Sequence, residues 1–343
     1  MTPHQLSSGD LTADRRAHYA CLYAESGDLA AAADLQRQAL DLAPHWAAGW
    51  YQLGLFCEKA GDATGAADAF TETLRLAPAD IFGAELKLSL AGLAETPATP
   101  PAEYVEALFD DYAERFDKAL IENLDYRVPE RLAGLVADVA GTDTRFARVV
   151  DLGCGTGLFG ERLRRVSSWL EGYDLSQGML SVAGGKGIYD HLGQADIGAG
   201  PEAAGLHTGP AADLVAAADV FAYFGDLSAA ISLAGGMLKP GGLLAFTCEA
   251  GDDDGEWQLR PSLRYCHSAA YLTSLLEKAG LSVERFARET IRRDKGQPIE
   301  GYLVIAKRLL TLEQTIAIPD LCGSRSETDA ASPTVIAAQV RLN

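Results

Sequence analysis

The sequence predicts an α/β fold with a doubly wound, mostly parallel sheet, preceded by an all-α block. Three observations carry this. From "RFARVVDLG" onward, short apolar runs alternate with helical segments, the pattern of a parallel sheet with helices on both faces. The last two runs, "SVERFARETIRR" and "PIEGYLVIAKRL", are joined by a short connection. Such a connection requires an antiparallel hairpin, because parallel neighbours need a crossover. The first hundred residues, finally, repeat at a fixed helical period.

In that block Gly27-Asp28 recurs as Gly61-Asp62, 34 residues on, and Ala32 and Pro44 recur as Ala66 and Pro78. Trp50, Leu53, Gly54, Ala66, Phe70 and Pro78 fit the tetratricopeptide pattern. Small residues let paired helices approach closely, glycine opens the turn, and proline ends the second helix. Two repeats are expected, with "DIFGAELKLSLAGL" as a cap or half repeat. So few repeats predict packing on the rest of the chain or on a second copy. They serve either as a structural or self-associating appendage or as a docking module for a protein partner.

"AETPATPPAEYV" breaks the helical pattern and reads as a linker. Beyond it Leu108, Phe109, Tyr112, Phe116 and Leu120 recur at spacings of three and four, an amphipathic helix. The expected organisation is a helical domain over 1–95, a linker over 96–103, an α/β domain with N-terminal cap helices over 104–310, and an extension over 311–343. Five strands are expected to end near Asp151, Asp174, Asp196, Asp219 and Glu249, before the hairpin. Ligands in such sheets bind beyond the carboxyl ends of the strands.

Acidic residues outnumber basic ones 48 to 29, for a net charge of -19. Such a surface disfavours nucleic acid as a partner. The six cysteines form no C-x-x-C pair, and neither they nor the six histidines show metal-ligand spacing. With no signal segment and no apolar run of about 18 residues, the expectation is a reduced cytoplasmic protein away from membranes.

"VVDLGCGTGLFG" carries two overlapping patterns. Gly155, Gly157 and Gly160 form G-x-G-x-x-G, a dinucleotide signature. Asp151, Gly153, Gly155 and Gly157 form D-x-G-x-G-x-G, which suits a sulfonium cofactor. Either turn brings backbone N–H groups and a helix N-terminus to a ligand. Asp174, 19 residues after Gly155, can hold a ribose diol in both readings. The discriminating features are Asp151 before the glycines, the hairpin finish, and Asp196, which can accept from an adenine amino group. A sulfonium has no pyrophosphate to neutralise, so carboxylates suit it.

The stretches "FDDYAERFD", "LDYRVPERL", "VVDLGCGTGLFG", "GYDLSQGML", "AADVFAYFGDL", "LKPGGLLAFTCE" and "YCHSAAYL" resemble class I S-adenosylmethionine-dependent methyltransferases. With the repeats, they resemble the bacterial members that carry tetratricopeptide repeats, over roughly residues 12 to 308. The resemblance implies a Rossmann-like, seven-stranded sheet, parallel but for one strand, that binds S-adenosyl-L-methionine and releases S-adenosyl-L-homocysteine. It implies that Asp151, Gly153, Gly155 and Gly157 shape the turn at the methionyl part, with Cys154 in that turn as a small buried thiol. Asp174 would grip the ribose, with Leu175 and Met179 on the adenine side. Asp196 and Ile197 would meet the adenine, and Ala218 and Asp219 the methionyl side. Tyr112 and Phe116 would cap the cofactor, and Arg127 would pair with its carboxylate.

Methyl transfer from a sulfonium is an in-line displacement driven by positioning and needs no metal. A base is required only when the acceptor must lose a proton. His267, in "RYCHSAAY" beyond an expected loop "AGDDDGEWQLRPSLR", is the first candidate base, and Glu249 the second. Phe221, Tyr223, Phe224 and Trp257 are expected as apolar substrate walls. Four readings stay open: methylation of a small-molecule hydroxyl, amine or carboxylate; methylation of a protein docked on the repeats; a non-catalytic scaffold; and a non-methylating reaction assisted by the bound sulfonium.

Overall fold

Aspartates begin three of the first four helices. Asp10, Asp28 and Asp62 each accept backbone N–H groups in the first turn of α1 (Leu11–Glu25), α2 (Leu29–Leu40) and α4 (Ala63–Leu76). The second and third are the aspartates of the repeated Gly-Asp pair. α3 (Ala47–Ala60) ends on Gly61 in the left-handed conformation. α1 packs on α2, α2 on α3 and α3 on α4, and the short α5 (Ala84–Leu90) packs on α4. Their shared core holds Ala20, Ala32, Leu53, Phe56, Ala66 and Phe70.

The computed structural model describes residues 7–123, 126–203, 205–206, 209–252, 254–294 and 296–309. The expected extension over 311–343 and the side chain of Leu120 lie outside the described residues. Residues 1–309 form one unit, so the helical block and the sheet share it.

α6 (Ala102–Asn123) and α7 (Val128–Ala140) lead into β1 (Phe146–Leu152), the short α8 (Gly160–Leu163), β2 (Ser167–Asp174), α9 (Gln177–Gly185) and β3 (His191–Gln194). A 3-10 turn (Ile197–Glu202) precedes β4 (Ala212–Ala217), and another (Phe221–Tyr223) precedes α10 (Ser228–Met237) and β5 (Leu238–Ala250). β3, β2, β1, β4 and β5 lie side by side in that order, all parallel. α11 (Ala269–Lys278) precedes β8 (Leu281–Asp294) and β9 (Gln297–Arg308), the expected hairpin. β9 runs antiparallel to both β5 and β8.

The described sheet has nine strands, two more than expected. The additions are β6 (Trp257–Leu259) and β7 (Tyr265–His267), within and just after the stretch read as a loop. β7 runs parallel to the end of β5, and β6 pairs antiparallel with β7. Three-residue strands are too short to show a period.

Central strands are apolar throughout because both faces are covered. Val149, Leu214, Leu243 and Ala245 pack on one side with Leu132 and Val136 of α7. Their neighbours Val150, Val215, Leu244 and Phe246 pack on the other with Ile231 and Ala234 of α10. The alternation follows the two-residue repeat of a strand.

The linker is docked. Ala98 O accepts from Gly225 N at 2.8 Å and Asp226 N at 3.0 Å, and Pro97 O accepts from Tyr265 Oη at 2.8 Å. Leu86 and Leu90 of α5 meet Leu259, Tyr265 and Trp257 in a small apolar cluster.

Candidate functional site

β1, β2 and β4 end side by side, and the turns that leave them open one cavity of about 290 Å³. The chain must turn sharply after β1. Gly153 and Gly155 do so at φ +63° and +53°. A Cβ on Gly153 would lie 2.3 Å from the Val220 side chain, so no larger residue fits there. The turn hands its Gly155 N–H to Asp174 Oδ2 at 2.8 Å, while Asp174 Oδ1 accepts from Ser176 N at 2.9 Å. Burial raises the Asp174 pKa, and the bonds from Ser176 and Gly155 work against the rise.

Asp151 sits under the turn, buried, and accepts from Tyr189 Oη at 2.7 Å. Burial lifts its pKa to about 7. The Tyr189 bond opposes the rise and the nearby Asp174 adds to it. Tyr189 reaches Asp151 across Gly160, where a Cβ would lie 2.0 Å from its hydroxyl. Gly160 thus makes room for a half-buried phenol. Burial also holds the Cys154 thiol well above its ordinary pKa, so it stays protonated and is no nucleophile.

Asp196 caps the 3-10 turn after β3, accepting from Gly198 N at 2.8 Å. Asp219 follows β4 at φ +59°, a left-handed conformation that aspartate adopts more readily than most residues. Leu175, Met179, Ile197 and Ala218 line the same cavity. Opposite them stands the apolar face of α6, where Phe116 meets both Phe109 and Tyr112 edge to face. Phe109 also meets Tyr223, at 5.0 Å between ring centres. Two carboxylates of α6 tie it to the turns. Asp110 accepts from Ser176 Oγ at 2.5 Å and Gly178 N at 2.9 Å, at the start of α9. Asp117 accepts from Thr156 Oγ1 and pairs with Lys186.

The cavity thus gathers Asp151, Gly153, Cys154, Gly155, Asp174, Leu175, Met179, Asp196, Ile197, Ala218, Asp219, Tyr112, Phe116, Tyr223 and Phe224. Six expected residues stand elsewhere. Gly157 lies behind the turn against Tyr189, and Arg127 is exposed at the start of α7, with Tyr126 facing the cavity instead. Phe221 is core, packed on Phe246, because its 3-10 turn points it under the sheet end. Trp257 belongs to β6 and packs edge to face on Tyr265 in the cluster with α5.

Neither expected base fits that role. His267 is fully buried in β7, where Nε2 donates to Phe224 O at 2.9 Å and Gly225 O at 3.0 Å. Burial lowers its pKa to about 4, against the two carbonyl bonds, so the ring is neutral at pH 7 and locks the loop after β4. Glu249 Oε1 accepts from Arg264 Nε at 2.6 Å and from Arg292 Nη2. The two guanidiniums occupy this carboxylate, and it does not line the cavity.

Those arginines escaped sequence reading. Arg264 follows an irregular loop and Arg292 lies in a long strand, so neither carries a motif. Both line the cavity. Arg264 also donates to Asp219 Oδ1 at 2.5 Å and to Tyr223 Oη at 2.7 Å. Thr99 and Pro100 of the linker join the wall as well. Among the described residues no group of three His, Cys, Asp or Glu side chains is placed to hold a metal, and no helix is long and apolar enough to cross a membrane.

Residues 124–285 match the family model described as a methyltransferase domain. This segment is similar to methyltransferase domains. The chain is 35% identical over 137 residues to a malonyl-[acyl-carrier protein] O-methyltransferase of Enterobacter lignolyticus, covering 40% of this chain and 52% of that protein. It therefore spans about half the length of that relative. Among solved structures, an S-adenosylmethionine-dependent methyltransferase from Clostridium acetobutylicum is 20% identical, covering 59% of this chain and 99% of that one, with a TM-score of 0.44. Magnesium protoporphyrin IX methyltransferase from Synechocystis, with S-adenosylhomocysteine bound, is also 20% identical, covering 53% and 81%, with a TM-score of 0.40. The matched segment contains the glycine turn, Asp174, Asp196, Asp219 and Arg264, while the aromatic face of α6 precedes it and Arg292 follows it.

Proposed function

We propose that the protein transfers a methyl group from S-adenosyl-L-methionine to a small-molecule hydroxyl, amine or carboxylate by in-line displacement. The observation that carries this reading is one cavity shared by the glycine turn, three carboxylates at or after successive strand ends, and an aromatic cap. Asp174 offers its remaining lone pairs to the ribose hydroxyls, and Asp196 serves the adenine amino group. Gly153, Gly155 and Ala218 bring backbone close to the methionyl part. Asp151, bonded to Tyr189 beneath the turn, holds the glycine loop in place. Met179, Ile197, Tyr112 and Phe116 exclude water, which strengthens each polar contact. The methyl donor supplies an electrophilic carbon when bound, and the chain's part is to hold the acceptor in line with it. The relative's name, an O-methyltransferase, supports oxygen acceptors first.

In this reading α1–α4 form two tetratricopeptide-like repeats, and α5, packed on α4, carries them onto β6 and β7, which favours a structural role over recruitment of a protein target. The cysteine chemistry and composition support a cytoplasmic setting.

Calorimetry with S-adenosylmethionine, S-adenosylhomocysteine and NAD tests the proposal. Both sulfur nucleosides should bind, NAD should not, and Asp174→Ala should weaken binding at least about tenfold, the loss of one charged hydrogen bond. Tight NAD binding, or none by the sulfur nucleosides, would end the proposal.

A further inference from the structure

Tyr19, Leu22 and Tyr23 of α1 are 58, 45 and 46% exposed. At the same places in the second repeat, 34 residues on, stand Leu53, Phe56 and Cys57 of α3, which are 4, 2 and 1% exposed. The difference is one helix. α2 covers that face of α3: its Ala33 and Leu40 share an apolar core with Leu53 and Phe56, and Arg37 Nη2 reaches Cys57 Sγ at 3.6 Å. α1 comes first in the stack, and no helix precedes it among the described residues. It therefore presents the apolar positions of a repeat interface without the helix that α3 receives. With Leu11, α1 carries four of the nine large apolar side chains exposed among the described residues, so the patch is concentrated rather than scattered.

The charges on this face decide what fits it. Leu11, Arg15, His18, Leu22 and Glu25 recur at spacings of four and three, which keeps them on one stripe of the helix, and all five are exposed. Tyr19 and Tyr23 flank the stripe. Two other charged groups of α1 are engaged within the same chain. Asp14 accepts from the Ser7 and Ser8 hydroxyls, and Arg16 Nη1 donates to Gln38 O at 2.8 Å. If two such helices lie antiparallel about the midpoint between Arg15 and Glu25, Arg15 of each copy faces Glu25 of the other, and Leu22 faces His18. Arg15 and Glu25 also cancel, on a chain of net charge -19, so two copies meet here without the repulsion carried by the rest of their surface.

We propose that the protein self-associates through α1. Two copies of the helix pack antiparallel about a two-fold axis, with Tyr19, Leu22 and Tyr23 as the apolar contact and two Arg15–Glu25 pairs setting the register. The same patch serves both copies, as a two-fold axis requires. A helix of 15 residues is about 22 Å long, so one helix pair buries an area at the small end of specific interfaces. The dimer is therefore reversible, with a Kd on the order of micromolar. α1 supplies no residue to the cavity, so the inference goes beyond methyl transfer and does not depend on it.

The test is sedimentation velocity on the full-length protein from about 1 to 200 μM, a range that brackets such a Kd. The average mass should rise from one chain towards two. Leu22→Glu should leave a monomer throughout, with circular dichroism and S-adenosylhomocysteine affinity unchanged. Arg15→Glu and Glu25→Arg should each weaken the dimer at least about tenfold, since each sets two like-charge pairs across the axis. Combining the two reversals should regain most of the parent's affinity, a rescue that the antiparallel register gives and a parallel one does not. A parent that stays monomeric overturns the inference. If Leu22→Glu then lowers its melting temperature, another segment of the same chain covers the face; if not, the face is left to a different protein. A dimer that survives Leu22→Glu, or a double reversal no tighter than the single ones, also overturns it. Should Leu22→Glu fail to fold, the charge reversals on exposed side chains decide. A protein that dimerises but binds no S-adenosylhomocysteine would end the methyl-transfer reading and leave this one standing.

Discussion

Asp151 shows how one side chain links stability to the site. Its pKa, raised by burial to about 7, compares with about 3.9 in an unfolded chain. Between those values the folded protein keeps a proton that the unfolded chain has lost, so this group's contribution to stability falls as pH rises. His267 has the opposite sign. Its folded pKa, near 4, lies below the unfolded value, so its contribution is lost as pH falls from about 6.5 towards 4. Comparing Asp151→Asn with the parent cancels the histidine. The variant should gain stability relative to the parent between pH 5 and 7.5, by on the order of 1.4 kcal/mol per pH unit below pH 7. Urea denaturation of the ligand-free proteins measures this, and a pH-independent difference would remove Asp151 from the account. The glycines and carboxylates of the turn were legible because a sharp turn at a strand end restricts residue type. Tyr189 was not, since a lone tyrosine between a helix and a strand carries no pattern. Its trace was Gly160, which reads as close packing without naming what packs.

Among the elements, α6 was legible as an amphipathic helix from Phe109, Tyr112 and Phe116, but its polar face was not. Sequence spacing predicts which residues share a face and says nothing of which carboxylate reaches a distant turn. Asp110 receives Ser176 Oγ and Gly178 N, fixing the start of α9 beside Asp174. Asp110→Ala should therefore cost about 1 kcal/mol, as for loss of a helix cap. It should also speed hydrogen exchange in both α6 and the first turn of α9. Exchange confined to α6 would show that the two helices are not coupled through this carboxylate. The β6–β7 pair, missed for its brevity, explains why both proposed bases stand elsewhere: β7 draws His267 into the sheet, and pairing beside Glu249 brings Arg264 onto it.

α5, at the end of the helical block, meets the sheet at a small apolar seam, and the linker that follows is held by three backbone-acceptor bonds. Composition marked residues 96–103 as a linker because proline and threonine disfavour a helix, but α6 already begins at Ala102. It could not reveal that Thr99 and Pro100 wall the cavity, because that depends on what the linker's carbonyls find across the fold. The consequence is energetic coupling between two blocks of different architecture. Leu86 is fully buried between them, and truncating it leaves a void on the Tyr265 side. Leu86→Ala should cost about 2–5 kcal/mol. If the seam joins the blocks, calorimetric unfolding of the parent gives one transition, and the variant's single transition moves down in temperature. The same variant should weaken S-adenosylhomocysteine binding a few-fold, because a looser seam loosens the wall formed by Thr99 and Pro100. Two transitions in the parent, with only the first shifted by Leu86→Ala and nucleoside binding unchanged, would mean that the helical block folds independently and leaves the cavity to the sheet and α6 alone.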